Sequence, residues 1–221
     1  MSIKTHDFVE IEYTGTLKDE KVVFDTTNAD VAKKHDIYNE KMPYEPVIVC
    51  VGEQQVLAGI DKQLLHMDVG QERAFDIAPE DAFGKKNSEL IQFIPLAKFR
   101  EHDINPMPGL QVNIDGAVGL VKTIGGGKVM VDFKHPLAGK VLNYRVNVKR
   151  KIDSIEEKIQ AYARMTLPES KASWDAATDT VKIELPEALS TLPQDIQKQY
   201  EEHLKKILPE VKAVTFLNNK V

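Results

Sequence analysis

Val9, Ile11 and Tyr13 alternate with Glu10 and Glu12, the period-two pattern of a strand that buries one face. The polar turn Lys18-Asp19-Glu20-Lys21 and the run Val22-Val23-Phe24 then predict a hairpin. From Thr26 to Glu45 the chain is polar and without clear period, with one short helix expected between Asp30 and His35. Val47 to Val51, just after Pro46, is continuously apolar and predicts a strand buried on both faces. The period then changes. Ile60, Leu64 and Met67 fall on one side of a short helix, with Gly70 close behind its end. Glu72 to Ile77 returns to strand and stops at Pro79.

A second unit begins near Lys85. Pro95 to Phe99 suits a helical turn and Pro106-Met107-Pro108-Gly109 a tight loop. Leu110, Val112 and Ile114 alternate with polar residues, and Asp115-Gly116 predicts a two-residue hairpin turn. Val118, Leu120, the triple glycine 125–127 and the alternating Val129, Val131 and Phe133 complete a β meander. That triple glycine joins two strands and opens no helix, so it reads as a turn and not as a phosphate-binding loop. Leu142, Tyr144, Val146 and Val148 form a further strand, ended by the basic run Lys149-Arg150-Lys151. Ser154 with Glu157 is a capping box, and Ile155, Ile159, Tyr162 and Ala163 make a helical stripe behind it. Val181, Ile183 and Leu185 alternate as a strand. Pro193 opens a helix carrying Ile196, Tyr200, Leu204 and Leu208, stopped by Pro209, and Val214 and Phe216 belong to a last strand.

Composition narrows the classes of function. The 221 residues are 42% hydrophobic and 29% charged, a balance that supports packed cores and not a disordered chain. The net charge of -5 is spread along the chain with acidic and basic residues interspersed, leaving no basic patch for nucleic acid or an anionic membrane. Cys50, the sole cysteine, sits in the apolar run 47–51, where an inert core thiol is expected and no internal disulfide can form. No apolar stretch approaches the roughly 20 residues of a membrane-spanning helix. The first residues, Met1 to Asp7, lack a basic start followed by an apolar core, so a cytoplasmic location is expected. His6, His35, His66, His102 and His203 are scattered without metal-ligand spacing, and neither a metal nor an organic cofactor is expected.

The more specific signal is an ordered set of short blocks. Tyr13-Thr14-Gly15, Phe24-Asp25 and the stretch Val51 to Ile60 come first. Met67-Asp68-Val69-Gly70, Pro79-Glu80-Asp81-Ala82-Phe83-Gly84 and His135-Pro136-Leu137-Ala138-Gly139-Lys140 follow. In this order the chain from 1 to 152, with interruptions at 26–46 and 85–134, resembles the FKBP-type prolyl isomerases. Taken singly, Tyr13, Phe24 and Tyr144 would read as core aromatics, Asp25 as a turn cap beside Thr26 and Thr27, and His135 as a turn or surface histidine.

The resemblance implies an antiparallel half-barrel wrapped on the short helix at Ile60, with a proline ring entering between them. Carried over position by position, Tyr13, Phe24, Val56, Leu57, Phe83 and Tyr144 would line the pocket and Ile60 would be its floor. Asp25 would be the pocket carboxylate, the Leu57 backbone N–H would bind the substrate carbonyl, and His135 and Leu137 would stand at the mouth. Two positions depart from the family pattern: Phe83 replaces a common tyrosine, and Tyr144 a common phenylalanine. Relatives of the SlyD kind carry a chaperone domain where this chain has 85–134. That likeness implies a client surface drawn from Ile91, Phe93, Ile94, Phe99 and Met107.

The expected architecture is therefore α+β: an FKBP domain (1–84 and 135–152), a β-rich insert (85–134) and a small C-terminal α/β module (153–221) similar to that of long archaeal members. The expected function is prolyl isomerisation on unfolded or proline-containing polypeptides, with no nucleic-acid or membrane partner. Two alternatives stand beside it: a holding chaperone of low isomerase activity, and an assembly scaffold. So small a tail needs another surface to bury against, either the FKBP domain or a second copy in a homodimer.

Overall fold

Strand β1 (Phe8–Leu17) organises the first sheet because both of its edges are used. On one edge its C-terminal half pairs with β2 (Val23–Thr26) and its N-terminal half with β3 (Val47–Cys50). Its other edge pairs along the whole length with β9 (Leu142–Lys151), and β4 (Glu72–Ile77) adds beyond β9. All these pairings are antiparallel, and the alternation read from the sequence sends Val9, Ile11, Val146 and Val148 into the core. β3 departs from expectation in part. Its C-terminal half is buried on both faces as expected, through the consecutive Val49 and Cys50, while Val47 and Ile48 are only half-buried.

The coordinates are a computed structural model, which describes residues 2–85, 90–101, 104–114, 117–133, 135–189 and 192–218. They divide into two compact units, Met1–Ile77 with Leu142–Val221, and Ala78–Val141. In the first unit α1 (Ala29–Lys34) is the short helix expected after Thr26, capped by Asn28, whose Oδ1 accepts from the Asp30 and Val31 amides. Helix α2 (Ala58–Leu64) buries Ile60 and Leu64. It reaches the sheet through Gly59, where a Cβ would lie 2.3 Å from the Ile77 side chain, so only glycine permits this approach. The buried Asp61 carboxylate accepts from the Gly52 and Gln54 amides at 2.8 and 3.1 Å and ties the preceding turn to the helix.

The tail folds as α4 (Ile155–Thr166), β10 (Lys171–Asp175), β11 (Thr180–Leu185), α5 (Gln194–Ile207) and β12 (Ala213–Asn218). β10 and β11 form a hairpin, and α5 is the crossover that lets β12 lie parallel to β11. The Ser154 cap forms as its sequence predicts, while α5 starts one residue after Pro193 and ends before Leu208. The core of this module is not separate. Ile159, Tyr162, Ile183 and Leu204 belong to one buried cluster with Phe8, Cys50 and Ile152. The Glu53 carboxylate adds a polar clasp, accepting from Nε2 of His6 at 3.1 Å and from Nε2 of His203, on α5, at 2.6 Å. Ending the chain after Ile152 should therefore expose Phe8, Cys50 and Ile152, a loss on the order of 5 kcal/mol at the usual value of a buried apolar side chain. Thermal unfolding should show a midpoint lower by about 10 °C or more; an unchanged midpoint would mean that the sheet does not depend on this cluster.

The second unit holds a four-stranded antiparallel sheet of order β5-β8-β7-β6, from β5 (Ile91–Pro95), β6 (Gln111–Ile114), β7 (Ala117–Gly125) and β8 (Lys128–Asp132). Helix α3 (Leu96–Glu101) completes its core of Ile94, Phe99, Val112, Val121, Val129 and Val131. The triple glycine makes the connection between β7 and β8 as read from the sequence, with Gly125 still paired to Lys128 and Gly126-Gly127 as the turn. The expected hairpin turn at Asp115-Gly116 lies outside the described residues, though Ile114 pairs with Ala117 on either side of it.

Candidate active site

Three strands bring the candidate residues of the first unit together through one register. Gly15 of β1 pairs with Asp25 of β2 on one side and with Tyr144 of β9 on the other. Directly opposed residues share a face, so a carboxylate, a gap and a phenol lie in one row. The gap makes room for a ring. A Cβ at Gly15 would lie 2.7 Å from Tyr144 Cζ and 2.9 Å from its hydroxyl oxygen, so the ring lies across the bare backbone. Thus placed, Tyr144 donates its hydroxyl to Asp25 Oδ2 at 3.2 Å while only 1% exposed.

The aromatics close around this pair. The Tyr13 ring stands 5.8 Å from Tyr144 at 58°, and Phe24 meets it edge-on at 5.9 Å. Phe24 gets there through a bulge: Gly15 pairs with Asp25 but Thr16 with Val23, so Phe24 is the extra residue and is re-aimed. The threonines do the turn's hydrogen bonding. Thr27 Oγ1 accepts from the Tyr13 amide at 2.9 Å, the Thr27 amide donates to the Tyr13 carbonyl at 3.0 Å, and Thr26 Oγ1 pairs with Thr14 Oγ1 at 2.9 Å. Asp25 is thereby left to face Tyr144.

Burial raises the Asp25 carboxyl above its ordinary range, partly offset by the hydrogen bonds from Tyr144 and from the Thr26 backbone. Burial, with the Asp25 charge second, pushes the Tyr13 hydroxyl up to about 12 and raises that of Tyr144 as well. Both phenols thus remain protonated donors at neutral pH. Replacing Gly15 by alanine should displace the Tyr144 ring, lower stability by about 1–3 kcal/mol as overpacking does, and break the contact with Asp25. Thermal melts and a proline-peptide assay should both register the change; an unaltered variant would show that the ring does not lie over Gly15.

Val56 and Leu57 are half-buried at the start of α2, and Ile60 is buried one turn on. The Leu57 carbonyl begins the helix, accepting from the Ile60 and Asp61 amides, while its own N–H has no hydrogen-bond partner among the described residues. Phe83, His135 and Leu137 belong to the second unit. The rings of Phe83 and His135 stack with centroids 4.0 Å apart and planes 4° from parallel, and His135 Nδ1 accepts from the Leu137 amide at 3.2 Å.

The five insert residues separate. Phe93 and Met107 are 65% and 56% exposed and Ile91 is half-buried. Ile94 and Phe99, at 7% and 3%, are core residues of the sheet and α3, so the reading of them as surface contacts is corrected. Register identifies others that the sequence reading passed over. Phe93 stands opposite Met130, Ile91 opposite Asp132, Asp132 opposite Leu120, and Val118 opposite Asn113. These positions share the face turned away from the Val129–Val131 core, and Val118 and Leu120 are exposed. The signal was present in the alternation of β7, but only pairing says which face is which.

Among the described residues no group of three His, Cys, Asp or Glu side chains is placed to hold a metal, and no helix is long and apolar enough to cross a membrane. The first unit thus combines an antiparallel sheet, a short helix against it, and aromatic rings gathered on one carboxylate. Comparison with known proteins gives the family. Residues 1–99 match the model of the FKBP-type peptidyl-prolyl cis-trans isomerase, and residues 92–137 that of the FKBP26 IF domain. The short-type peptidyl-prolyl cis-trans isomerase of Methanocaldococcus jannaschii is 33% identical over 147 residues, 66% of this chain and 92% of that one. A probable FKBP-type 16 kDa isomerase of Pseudomonas fluorescens is 35% identical over 108 residues, 47% of this chain and 71% of that one. The isomerase SlyD of Helicobacter pylori is 30% identical over 129 residues, 57% of this chain and 70% of that one. The chain belongs to the FKBP-type peptidyl-prolyl cis-trans isomerases and carries an insert-in-flap domain of the FKBP26 kind.

Proposed function

We propose that Tyr13, Phe24, Asp25 and Tyr144, with Val56, Leu57 and Ile60, form the cleft in which X-Pro bonds of unfolded and partly folded polypeptides are isomerised. The observation that carries this reading is the Tyr144–Asp25 hydrogen bond enclosed by aromatic rings. Rotation of an amide is slow because its resonance must be broken, a barrier of about 18–20 kcal/mol. The twisted amide has lost that resonance and is less dipolar than either planar form, so an apolar enclosure that excludes water favours it over both. The Leu57 N–H is free to hold a substrate carbonyl, and the Asp25–Tyr144 pair supplies one fixed polar pole. No covalent intermediate is needed. Catalysed exchange of a short proline peptide, with and without the Asp25 side chain, tests the cleft.

The insert adds a client surface in this reading. Phe93, Met130, Leu120 and Val118 lie on one face of its sheet, with Ile91 beside them and Met107 on an exposed loop, an apolar area of the kind that binds extended chain adaptably. A chain held there has its prolines at high effective concentration near the catalytic residues. Phe83 and His135, with Leu137, are read as contacts to the chain flanking the proline. Phe83 favours one competing reading, a holding chaperone of low isomerase activity, since the hydroxyl found at that position in many relatives is missing. For assembly, exposed Met165, Ile196 and Leu217 favour self-association through the tail. Sedimentation at rising concentration decides that point, a strict monomer excluding it.

A further inference from the structure

Between β3 and α2 the chain turns through residues 51–57, and the last two of these, Val56 and Leu57, face the cleft in the reading above. The turn is pinned from several sides. The Val51 carbonyl accepts from the His6 amide at 2.8 Å, the Asp61 carboxylate takes the Gly52 and Gln54 amides, and Gln55 Oε1 accepts from the Cys50 amide at 2.7 Å. Glu53 carries the grip beyond the sheet and its helix. Its Oε2 accepts from Nε2 of His203, on α5 of the C-terminal module, at 2.6 Å, while Oε1 accepts from Nε2 of His6 at 3.1 Å. His6 (φ 66°) and Gln54 (φ 52°) both hold left-handed backbone, which residues other than glycine seldom adopt. A Cβ at Gly52 would come within 2.8 Å of the Thr5 methyl. The shape of this turn is thus imposed by its contacts and not chosen by its own residues.

Docking of the module does not require the clasp. Phe8, Cys50 and Ile152 already bury against Ile159, Ile183 and Leu204. The Glu53 side chain is only 11% exposed, and desolvation offsets most of what such an ion pair gains. What the clasp does supply is geometry. We propose that His203 is a positioning residue of the isomerase: through Glu53 it fixes the turn that presents Val56 and the Leu57 N–H to the substrate. The C-terminal module is then part of the binding cleft's support, and the ordering of Leu57 is complete before substrate arrives. The assignment rests on the reading of Asp25, Tyr144 and Leu57 as the catalytic cleft.

Separate measurement of kcat and KM on a proline tetrapeptide tests it. His203→Leu removes the donor and puts a good helix former at a half-buried position, so α5 is retained. KM should rise about 3- to 10-fold, the scale of ordering a short segment at binding, with kcat within about 2-fold because the Asp25–Tyr144 pair is untouched. His203→Gln offers an amide N–H near the place of Nε2 and should bring KM back to within about 2-fold. Glu53→Ala should raise KM alike, and adding His203→Leu to it should change nothing further, since both act through one carboxylate. Melting curves establish that each variant is folded at the assay temperature. A lower melting temperature with KM unchanged, a change in kcat as large as that in KM, a loss that glutamine does not recover, or additive effects in the double variant would each overturn the proposal. Asp25→Ala measured alongside locates the error. If that variant is impaired while His203→Leu binds substrate normally, only the positioning role falls. If Asp25→Ala retains full activity, the cleft reading falls and the positioning role with it.

Discussion

Asp25→Ala is expected to lower kcat/KM on a proline tetrapeptide by about 10- to 100-fold, equivalent to roughly 1.4–2.7 kcal/mol of transition-state stabilisation. Two things are lost together: the carboxylate that the aromatic cluster surrounds, and the acceptor that orients the Tyr144 hydroxyl. Alanine also strands that buried hydroxyl, at about 1–3 kcal/mol of stability. Asp25→Asn separates the two effects by keeping an acceptor oxygen without the charge. The sign of its effect on stability follows from the environment. Burial raises the Asp25 carboxyl above its unfolded value, so the stability linked to its protonated form is complete below the ordinary carboxylate range. It is lost as the pH rises through the raised value. Asp25→Asn should therefore melt above the natural protein at neutral pH, with the difference closing in acid, while its activity still falls. Melts across pH, beside peptide kinetics, check both. A variant destabilised at neutral pH and equally active would mean that the carboxylate is structural.

Replacing residues 85–134 by a short loop should leave tetrapeptide kcat/KM within about 2-fold and reduce proline-limited refolding of an unfolded protein by at least about 10-fold, the lower end of what tethering contributes. Geometry allows the replacement. The Gly139 amide donates to the Gly84 carbonyl at 2.7 Å, so the chain entering the insert and the chain leaving it already meet. The insert has a core of its own in Ile94, Phe99, Val112, Val121, Val129 and Val131, and it contains none of Tyr13, Phe24, Asp25 or Tyr144. A tetrapeptide is too short to use a second surface. Equal losses on both substrates would mean that the insert builds the cleft.

How much of this was legible follows the range of the forces involved. β1, β9 and β11 announce themselves by strict alternation, and α4 by its capping box, because those signals are local. β10 was missed: Lys171-Ala172-Ser173-Trp174-Asp175 has too few apolar residues to show a period, and it becomes a strand only by pairing with β11. The apolar run of β3 does not reveal that Val47 and Ile48 are only half-buried while Val49 and Cys50 are buried on both faces. Ile94 and Phe99 look as suitable for client contact as Phe93 does. Burial depends on the facing residue, and only the β5–β8 register assigns the two sides. Asp25 stands in the ordered set of motifs, and Tyr144, 119 residues away, joins it only as a position that the family resemblance implies. What joins them is Gly15, whose role is visible only when a ring is found lying across it. The tail posed two solutions for its marginal core. The cluster linking Phe8 and Cys50 with Ile183 and Leu204 shows that it packs on the first sheet, a long-range fact without local trace.

Proline-containing chain is proposed to bind at the row formed by Asp25, Gly15 and Tyr144. Titrating the isotope-labelled chain with a proline tetrapeptide, and following its backbone amide spectrum, tests this most directly. The account predicts that the largest shifts fall on Gly15, Asp25, Leu57 and Tyr144, with little change along β5 to β8. Shifts confined to the insert sheet, or to the tail around α5 and β12, would contradict it.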